Sequence, residues 1–217
     1  MKNTKSVCVI GLGYIGLPTA CLLAHKGYAV TGVDINANTV AKINAGEVPI
    51  IEPELEDLLS SVVREGRLKA QSTPTPAEIF IIAVPTPFKG DHVPDLSYVM
   101  SAANSVVPHL KGGDLVILES TSPVGTTLEI ESLMRKARPE LFEMGSKVLF
   151  AYGPERVLPG KILRELQEND RVVGGTSNEA GAAAAAFYRT LTRGEVFVTE
   201  SRTAEMTKLT ENAFRDV

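Results

Sequence analysis

Three glycines near the start of the chain have the spacing of a phosphate-binding turn. Gly11, Gly13 and Gly16 form a G-x-G-x-x-G sequence between an apolar run of strand length and an amphipathic stretch. The first glycine permits a tight turn, the second permits a pyrophosphate to approach the backbone, and the third permits close packing of helix on strand. Free N–H groups at the start of that helix would face the phosphates.

An acid follows the second apolar run, where a dinucleotide site needs one. Asp34 lies 18 residues beyond Gly16 and directly after residues 29–33. A carboxylate there can accept hydrogen bonds from both ribose hydroxyls and would repel a 2′-phosphate, so the pattern predicts NAD rather than NADP. Two alternatives are a glycine turn without a ligand and a signal peptide. The polar interruption at residues 25–27 argues against the signal peptide.

Polar residues also follow three later apolar runs. Thr86 lies in a stiff Pro-Thr-Pro segment, Thr121 precedes a Ser-Pro pair, and Glu155 follows Gly-Pro. Ligands of open α/β sheets bind beyond the carboxyl ends of the strands, so all three are candidates for one site. The Thr121 hydroxyl could hold a water or a substrate oxygen, or could cap the next helix. Glu155 could be a general base or a solvated loop acid.

The last segment of the chain places three polar residues on one helical face. Glu205, Lys208 and Asn212 are spaced by three and four residues. A lysine beside a side-chain amide can stabilise a developing oxyanion, or can transfer a proton if burial lowers its pKa. The alternative is a surface ion pair between Glu205 and Lys208.

Positioning these residues requires alternating strands and helices. Strand-like runs occupy residues 7–10, 29–33, 67–70, 79–84, 115–118, 148–151, 171–173 and 195–198. One helical pattern follows the glycine turn, and another ends near residue 137. Further helical patterns cover residues 38–44, 54–65, 96–107, 179–191 and 203–217. Such alternation predicts an α/β fold with a doubly wound, mostly parallel sheet.

Composition narrows the class of protein. The 217 residues are 44% apolar and carry a net charge of −4, which disfavours nucleic acid and anionic membranes as partners. The apolar runs are too short to span a bilayer. Cys8 and Cys21 have no metal-type or redox-type spacing, so we expect no metal site and two core thiols in a reducing, cytoplasmic compartment.

Taken together, the motifs resemble the UDP-glucose/GDP-mannose dehydrogenase family, from the first residues of the chain to the last. Five motifs occur in the family's order: Gly11-Leu12-Gly13-Tyr14-Ile15-Gly16-Leu17-Pro18, Val84-Pro85-Thr86-Pro87, Ser120-Thr121-Ser122-Pro123-Val124-Gly125-Thr126, Pro154-Glu155-Arg156 and Ala204-Glu205-x-x-Lys208-x-x-x-Asn212. The resemblance implies a Rossmann-type NAD-binding domain. It also implies two-step oxidation of a sugar C6 alcohol to a carboxylate, with two NAD and a cysteine nucleophile.

The resemblance also implies roles for individual residues. Lys208 and Asn212 would hold the C6 oxygen and its developing negative charge. Thr121 and Glu155 would position and activate the hydrolytic water, and Glu155 would also relay protons. The residues expected around NAD are Gly11, Gly13, Tyr14, Ile15, Gly16, Asp34, Thr86 and Thr121.

Two departures from the family pattern refine this expectation. Pro159 stands where glucose-type members often have a second glutamate, and the surrounding run looks most like bacterial members acting on UDP-N-acetyl-D-mannosamine. The implied product is the corresponding uronate, used for surface polysaccharide. The family's nucleophilic cysteine lies beyond the last helix of this chain, and neither Cys8 nor Cys21 can replace it.

We therefore expect an N-terminal portion of a longer enzyme. Residues 1–200 would form the NAD-binding domain and residues 201–217 the start of a central helix that forms a homodimer, with the UDP-binding domain absent. Such a chain would bind NAD without making uronic acid. The alternatives are a β-hydroxyacid dehydrogenase of the 6-phosphogluconate type and an NAD-binding module without turnover.

Overall fold

The computed structural model describes residues 4–143 and 147–216. The strands are β1 (Ser6–Ile10), β2 (Ala29–Val33), β3 (Leu68–Gln71), β4 (Ile79–Ile82), β5 (Phe88–Lys89), β6 (Val93–Pro94), β7 (Leu115–Leu118), β8 (Leu149–Tyr152), β9 (Arg171–Gly175) and β10 (Val196–Glu200). The helices are α1 (Gly16–His25), α2 (Ala37–Asn44), α3 (Leu55–Arg64), α4 (Ser97–Val106), α5 (Thr126–Ala137), α6 (Ile162–Glu168), α7 (Asn178–Tyr188) and α8 (Ser201–Asp216). None of the helices in this described part combines the length and apolar character needed to cross a membrane.

Eight strands form one sheet, in the order β10-β9-β8-β7-β4-β1-β2-β3. Neighbouring strands are parallel throughout, except that β8 and β9 are antiparallel. Each strand-like run of the sequence is a strand of this sheet. The predicted doubly wound, mostly parallel α/β fold is confirmed.

The central strands are apolar along their whole length because both faces of the sheet are covered. Every residue of β4 and β7 is buried. The hydrophobic core on one face includes residues of α1, α3, α6 and α7, and the core on the other includes residues of α4, α5 and α8. Continuous apolar strands are typical of parallel sheets sandwiched in this way.

Two short elements were not predicted. The hairpin of β5 and β6 consists of two-residue strands that are exposed, so neither has the apolar alternation of a longer strand. Helix α6 lacks a capping side chain at its own start. Instead, the buried Glu52 carboxylate accepts hydrogen bonds from the Gly160 and Ile162 N–H groups at 2.8 and 2.7 Å. A cap about a hundred residues away leaves no local signal in the sequence.

The antiparallel strand changes which residues reach the carboxyl edge of the sheet. In β9, Gly174 pairs with Tyr152 at the end of β8, so the first residue of β9, Arg171, extends beyond that edge. Helix α8 packs against β8 and β9, and its Lys208 reaches the loop that follows β8. The reversal therefore brings an arginine and a lysine to the same edge as the parallel turns.

Asp114, in the turn before β7, gives the fold a pH-dependent stability. Burial raises its pKa to about 6, while the hydrogen bond from the Lys111 N–H opposes the shift. Below about pH 3 the carboxyl is largely protonated in both the folded and the unfolded chain. Between about pH 4 and pH 6 the unfolded chain ionises this carboxyl while the folded chain keeps it protonated, so the free energy of unfolding falls, and the loss is complete above pH 6.

We predict that Asp114→Asn removes this loss. Between pH 3 and pH 7 the free energy of unfolding of the unsubstituted chain should fall by up to about 3 kcal/mol relative to the variant. Urea unfolding at each pH measures the difference. Parallel pH profiles for the two proteins would contradict the prediction.

Candidate functional site

A cleft of about 430 Å³ lies at the carboxyl edge of the sheet. Its walls are the turns that follow β1, β2, β4, β7 and β8. The lining residues are Gly11, Gly13, Tyr14, Ile15, Asp34, Ala83, Val84, Pro85, Thr86, Glu119, Ser120, Thr121 and Glu155. The structure thus brings together all the residues predicted around the cofactor except Gly16, which lies behind the turn.

The presence of glycine at each of the three positions of the turn has a different structural explanation. Gly11 has a φ of +94°, and a Cβ there would lie 2.5 Å from the Ala83 carbonyl oxygen. A Cβ on Gly16 would lie 1.8 Å from the Gly11 carbonyl oxygen, so only glycine permits this approach of helix to turn. A Cβ on Gly13 would project into open space. Gly13 is therefore not needed for packing, and its bare backbone is available to a ligand.

The start of α1 is suited to an anion. The helix has no acidic residue in its first turn and no side-chain cap. Among the described residues, no acceptor pairs with the N–H groups of Gly13, Tyr14, Ile15 and Gly16. Unpaired N–H groups and the positive end of the helix dipole together favour a phosphate.

Asp34 is held in place by the glycine turn that it faces. Its Oδ2 accepts a hydrogen bond from the Leu12 N–H at 3.0 Å, and its Oδ1 accepts one from the Asn36 N–H at 2.9 Å. A carboxylate oxygen has about two acceptor sites, so each oxygen keeps one for a ligand hydroxyl. The residues present therefore fit the adenosine ribose and the pyrophosphate of a dinucleotide.

The opposite wall of the cleft is tied together by hydroxyl groups. The Thr86 Oγ donates a hydrogen bond to the Thr121 carbonyl at 2.7 Å, and the Ser120 Oγ donates one to the Val84 carbonyl at 2.7 Å. The proposed capping role of Thr121 is wrong, because the N-cap position of α5 is Gly125. The Thr121 hydroxyl makes no hydrogen bond to any described residue.

Lys208 meets Glu155 at the end of the cleft. Its side chain is 5% exposed, and its Nζ donates to the Glu155 carbonyl oxygen at 2.7 Å and lies 3.4 Å from the Glu155 Oε1. The other carboxylate oxygen of Glu155 accepts a hydrogen bond from the Val157 N–H at 2.8 Å. Asn212, one helical turn beyond Lys208, is partly exposed, and its side-chain amide makes no hydrogen bond to the described part of the chain.

The alternative interpretation of Glu205 and Lys208 as a surface ion pair is wrong. Both residues are buried. The Glu205 carboxylate binds the start of α5, whereas the Lys208 amine binds Glu155. The two residues share a helical face but have different partners.

Sequence reasoning did not assign a side-chain role to Glu119, which lines the cleft. Its carboxylate accepts a hydrogen bond from the Tyr188 hydroxyl at 2.7 Å and lies 3.8 Å from the Arg171 guanidinium, which stacks over the Tyr188 ring. Burial raises the pKa of Glu119, and Arg171 opposes this shift. The available signal was an acid directly after a strand composed only of apolar residues.

The two cysteines are core residues, as predicted. Cys8 lies in β1 and Cys21 in α1, and both are fully buried. Burial raises the pKa of Cys8 to about 11 and that of Cys21 to about 12. Neither thiol is positioned or ionised to serve as a nucleophile in the cleft.

A model of the UDP-glucose/GDP-mannose dehydrogenase family, NAD binding domain, matches residues 5–192. The chain belongs to this family. Over 98% of its length it is 52% identical to a UDP-N-acetyl-D-mannosamine dehydrogenase of Yersinia pestis, and 51% identical to an NDP-N-acetyl-D-galactosaminuronic acid dehydrogenase of Ralstonia nicotianae. Its structure matches the UDP-D-ManNAc dehydrogenase of Pyrococcus horikoshii with a TM-score of 0.93 and 43% identity, covering 97% of this chain and 50% of that one.

The family assignment agrees with the geometry of the cleft. NAD is the cofactor of this domain type, and the turn after β1 and the carboxylate of Asp34 fit it. The chain spans about half the length of the curated relatives it matches, 52% in both bacterial cases. Membership in the family therefore accounts for the residues of the cleft that fit the cofactor.

We predict that Asp34→Ala weakens NAD binding by about 10- to 100-fold, because hydrogen bonds from the ribose hydroxyls to a charged group are lost. Calorimetric titration with NAD and NADP measures both dissociation constants. Loss of the carboxylate should weaken NAD more than NADP, since it also removes repulsion of the 2′-phosphate.

The ratio of the dissociation constants for NAD and NADP distinguishes loss of the ribose contact from damage to the glycine turn. A loosened turn would weaken both nucleotides alike and leave the ratio unchanged. An unchanged dissociation constant for NAD would rule out the ribose contact.

Proposed function

We propose that this chain provides the NAD-binding half of an enzyme that oxidises the C6 alcohol of UDP-N-acetyl-D-mannosamine to a carboxylate. The product, UDP-N-acetyl-D-mannosaminuronate, would serve surface polysaccharide synthesis. The observation that carries the proposal is the contact between the buried Lys208 amine and Glu155, which lines the cofactor cleft. The similarity to dehydrogenases of UDP-N-acetyl-D-mannosamine supports the choice of sugar.

The glycine turn and its neighbours would hold the cofactor, which supplies a hydride acceptor when bound. The N–H groups before and at the start of α1 would bind the pyrophosphate, and Asp34 would accept from the ribose hydroxyls. Thr86 and Thr121 would form the wall on the other side. Because these groups are fixed by their own hydrogen bonds, little reorganisation is needed on binding.

Lys208 would hold the C6 oxygen of the sugar. A lysine amine has three N–H donors, and Glu155 receives two of them, so one remains for the substrate. Its positive charge would stabilise negative charge that develops on that oxygen. The amide of Asn212, four residues further along α8, would add a second donor.

Glu155 and Thr121 would act on the water that releases the acid. The Glu155 Oε1 is 3.4 Å from the Lys208 amine, within reach of a proton that leaves the alcohol through the lysine. The Thr121 hydroxyl would orient the water. The thiolate that carries the acyl group would come from outside this chain, since both Cys8 and Cys21 are buried thiols.

We predict that a full-length enzyme containing this chain forms two NADH for each UDP-N-acetyl-D-mannosamine oxidised. Lys208→Met should lower kcat by about 100- to 1000-fold, the usual effect of removing one oxyanion donor, with NAD affinity retained. Lys136→Met, on the outer surface of α5, is the matched control and should leave kcat unchanged. Absorbance at the NADH band and product analysis provide the measurements.

Several outcomes would count against this function. One NADH per substrate would favour the β-hydroxyacid type of dehydrogenase. Sustained NADH formation by the 217-residue chain alone would contradict the need for a nucleophile from elsewhere. Binding of NAD without oxidation of any sugar by the full-length protein would favour a module without turnover.

The proposal includes a domain boundary, a homodimer and a cytoplasmic location. Residues 1–200 would form the NAD-binding domain, and 201–217 would begin the central helix, of which Val217 lies outside the described residues. Met206 and Phe214 are exposed on α8, Phe214 by 84%, which supports an apolar contact between two copies. The cytoplasmic location is supported by the two buried, unpaired thiols.

We predict that the full-length enzyme sediments as a dimer and that Phe214→Ser shifts it towards monomer at low concentration. Removing a large exposed apolar side chain should weaken such a contact because less apolar surface is buried. Sedimentation equilibrium measures the dissociation constant. A monomeric unsubstituted enzyme would contradict the dimer.

A further inference from the structure

Glu205 is a fully buried carboxylate that links two distant segments of the chain. Its oxygens accept hydrogen bonds from the Gly125 N–H at 2.5 Å, the Thr127 N–H at 2.8 Å and the Thr127 hydroxyl at 2.6 Å. Both N–H groups belong to the start of α5, which has no side-chain cap of its own. A buried carboxylate requires such donors, and the helix dipole adds to the attraction.

This contact fixes the far end of the loop that carries Thr121. At its near end the loop is held to the turn after β4, because Thr86 donates to the Thr121 carbonyl and Ser120 to the Val84 carbonyl. Glu205 holds the other end, at Gly125 and Thr127. Thr121 therefore lies on a short segment anchored on both sides.

The same helix holds the loop that carries Glu155. Lys208, three residues after Glu205, donates to the Glu155 carbonyl oxygen at 2.7 Å. Both side chains are buried, and Ala204 of the same helix belongs to the hydrophobic core on this face of the sheet. A single turn of α8 thus determines where both loops stand relative to the lysine.

We propose that Glu205 is a positioning residue, whose buried carboxylate sets the placement of Thr121 relative to Lys208 for the oxidation proposed above. It touches neither the cleft nor the cofactor turn, so its effect on the reaction is indirect. Loss of the carboxylate frees the start of α5 from α8. The loop then keeps its hydrogen bonds to the turn after β4 but loses those that hold its far end.

Glu52 offers a matched control elsewhere in the chain. It too is a buried glutamate whose two oxygens accept N–H groups at the start of a helix, in this case α6. Glu52 lines a separate cleft together with residues of α6. The same substitution at the two positions therefore removes the same kind of bond, but only Glu205 holds the Thr121 loop.

The test is Glu205→Gln in a full-length enzyme that contains this chain, assayed below the unfolding temperature of each variant. Glutamine keeps the side-chain size and one acceptor oxygen, but it removes the negative charge and turns its N–H₂ group towards an N–H donor, so part of the contact with α5 is lost and the rest is weakened. We expect kcat to fall by about 100-fold, as for a misplacement of about 1 Å. The KM for NAD should stay unchanged, because the glycine turn and Asp34 are not in contact with Glu205.

Two further variants keep the result interpretable. Glu52→Gln should retain kcat, and Thr127→Val, which removes one of the three bonds and keeps the carboxylate, should give a smaller fall in kcat without a change in KM for NAD. If Glu205→Gln does not fold, Thr127→Val gives the test alone.

Equal kcat values for Glu205→Gln and Glu52→Gln would overturn the positioning role. So would a rise in the KM for NAD with kcat retained, or an unchanged kcat in Thr127→Val where Glu205→Gln does not fold. Failure of the proposed function is a different result, since the unsubstituted enzyme would then not oxidise the nucleotide sugar.

Discussion

Parallel pairing of the central strands is the constraint on which the rest of the structure depends. Since β1, β4, β7 and β8 run in one direction, the turns that follow them meet at one edge. Each strand is covered on both faces, so polar side chains are excluded until the strand ends. The functional groups therefore begin with the first residues past each strand, and a shared cleft results from the strand direction alone.

Buried charged groups then determine how the turns stand relative to one another. Glu205 holds α5 to α8, and Lys208 holds the loop after β8. Each contact joins segments far apart in the chain. Because desolvation offsets much of the attraction between buried charges, such contacts are weak evidence for net stability, but each fixes one segment against another. Under the positioning role proposed above, the placement of Thr121 depends on Glu205, a side chain that does not line the cleft.

Sequence patterns were sufficient wherever the cause was local. The strands of the sheet, the turn at Gly11 and the acid at Asp34 depend on apolar runs and on residues within a βαβ unit, and the structure has them as expected. Long-range partners were not accessible in this way. Spacing placed Glu205 beside Lys208 but could not show that its partners are 78 to 80 residues away, nor that Glu52 caps α6. The reversal of β9, which brings Arg171 to the site, depends on packing of the whole sheet.

The burial of both thiols has a practical consequence for any longer protein that includes this chain. With pKa values of about 11 and 12, Cys8 and Cys21 are almost entirely un-ionised at neutral pH, and both are shielded from solvent. Alkylating reagents react with exposed thiolates, so these two residues contribute almost no background in the folded state. Mass-spectrometric labelling of such a protein would therefore report thiols outside this domain, without prior mutation of Cys8 or Cys21.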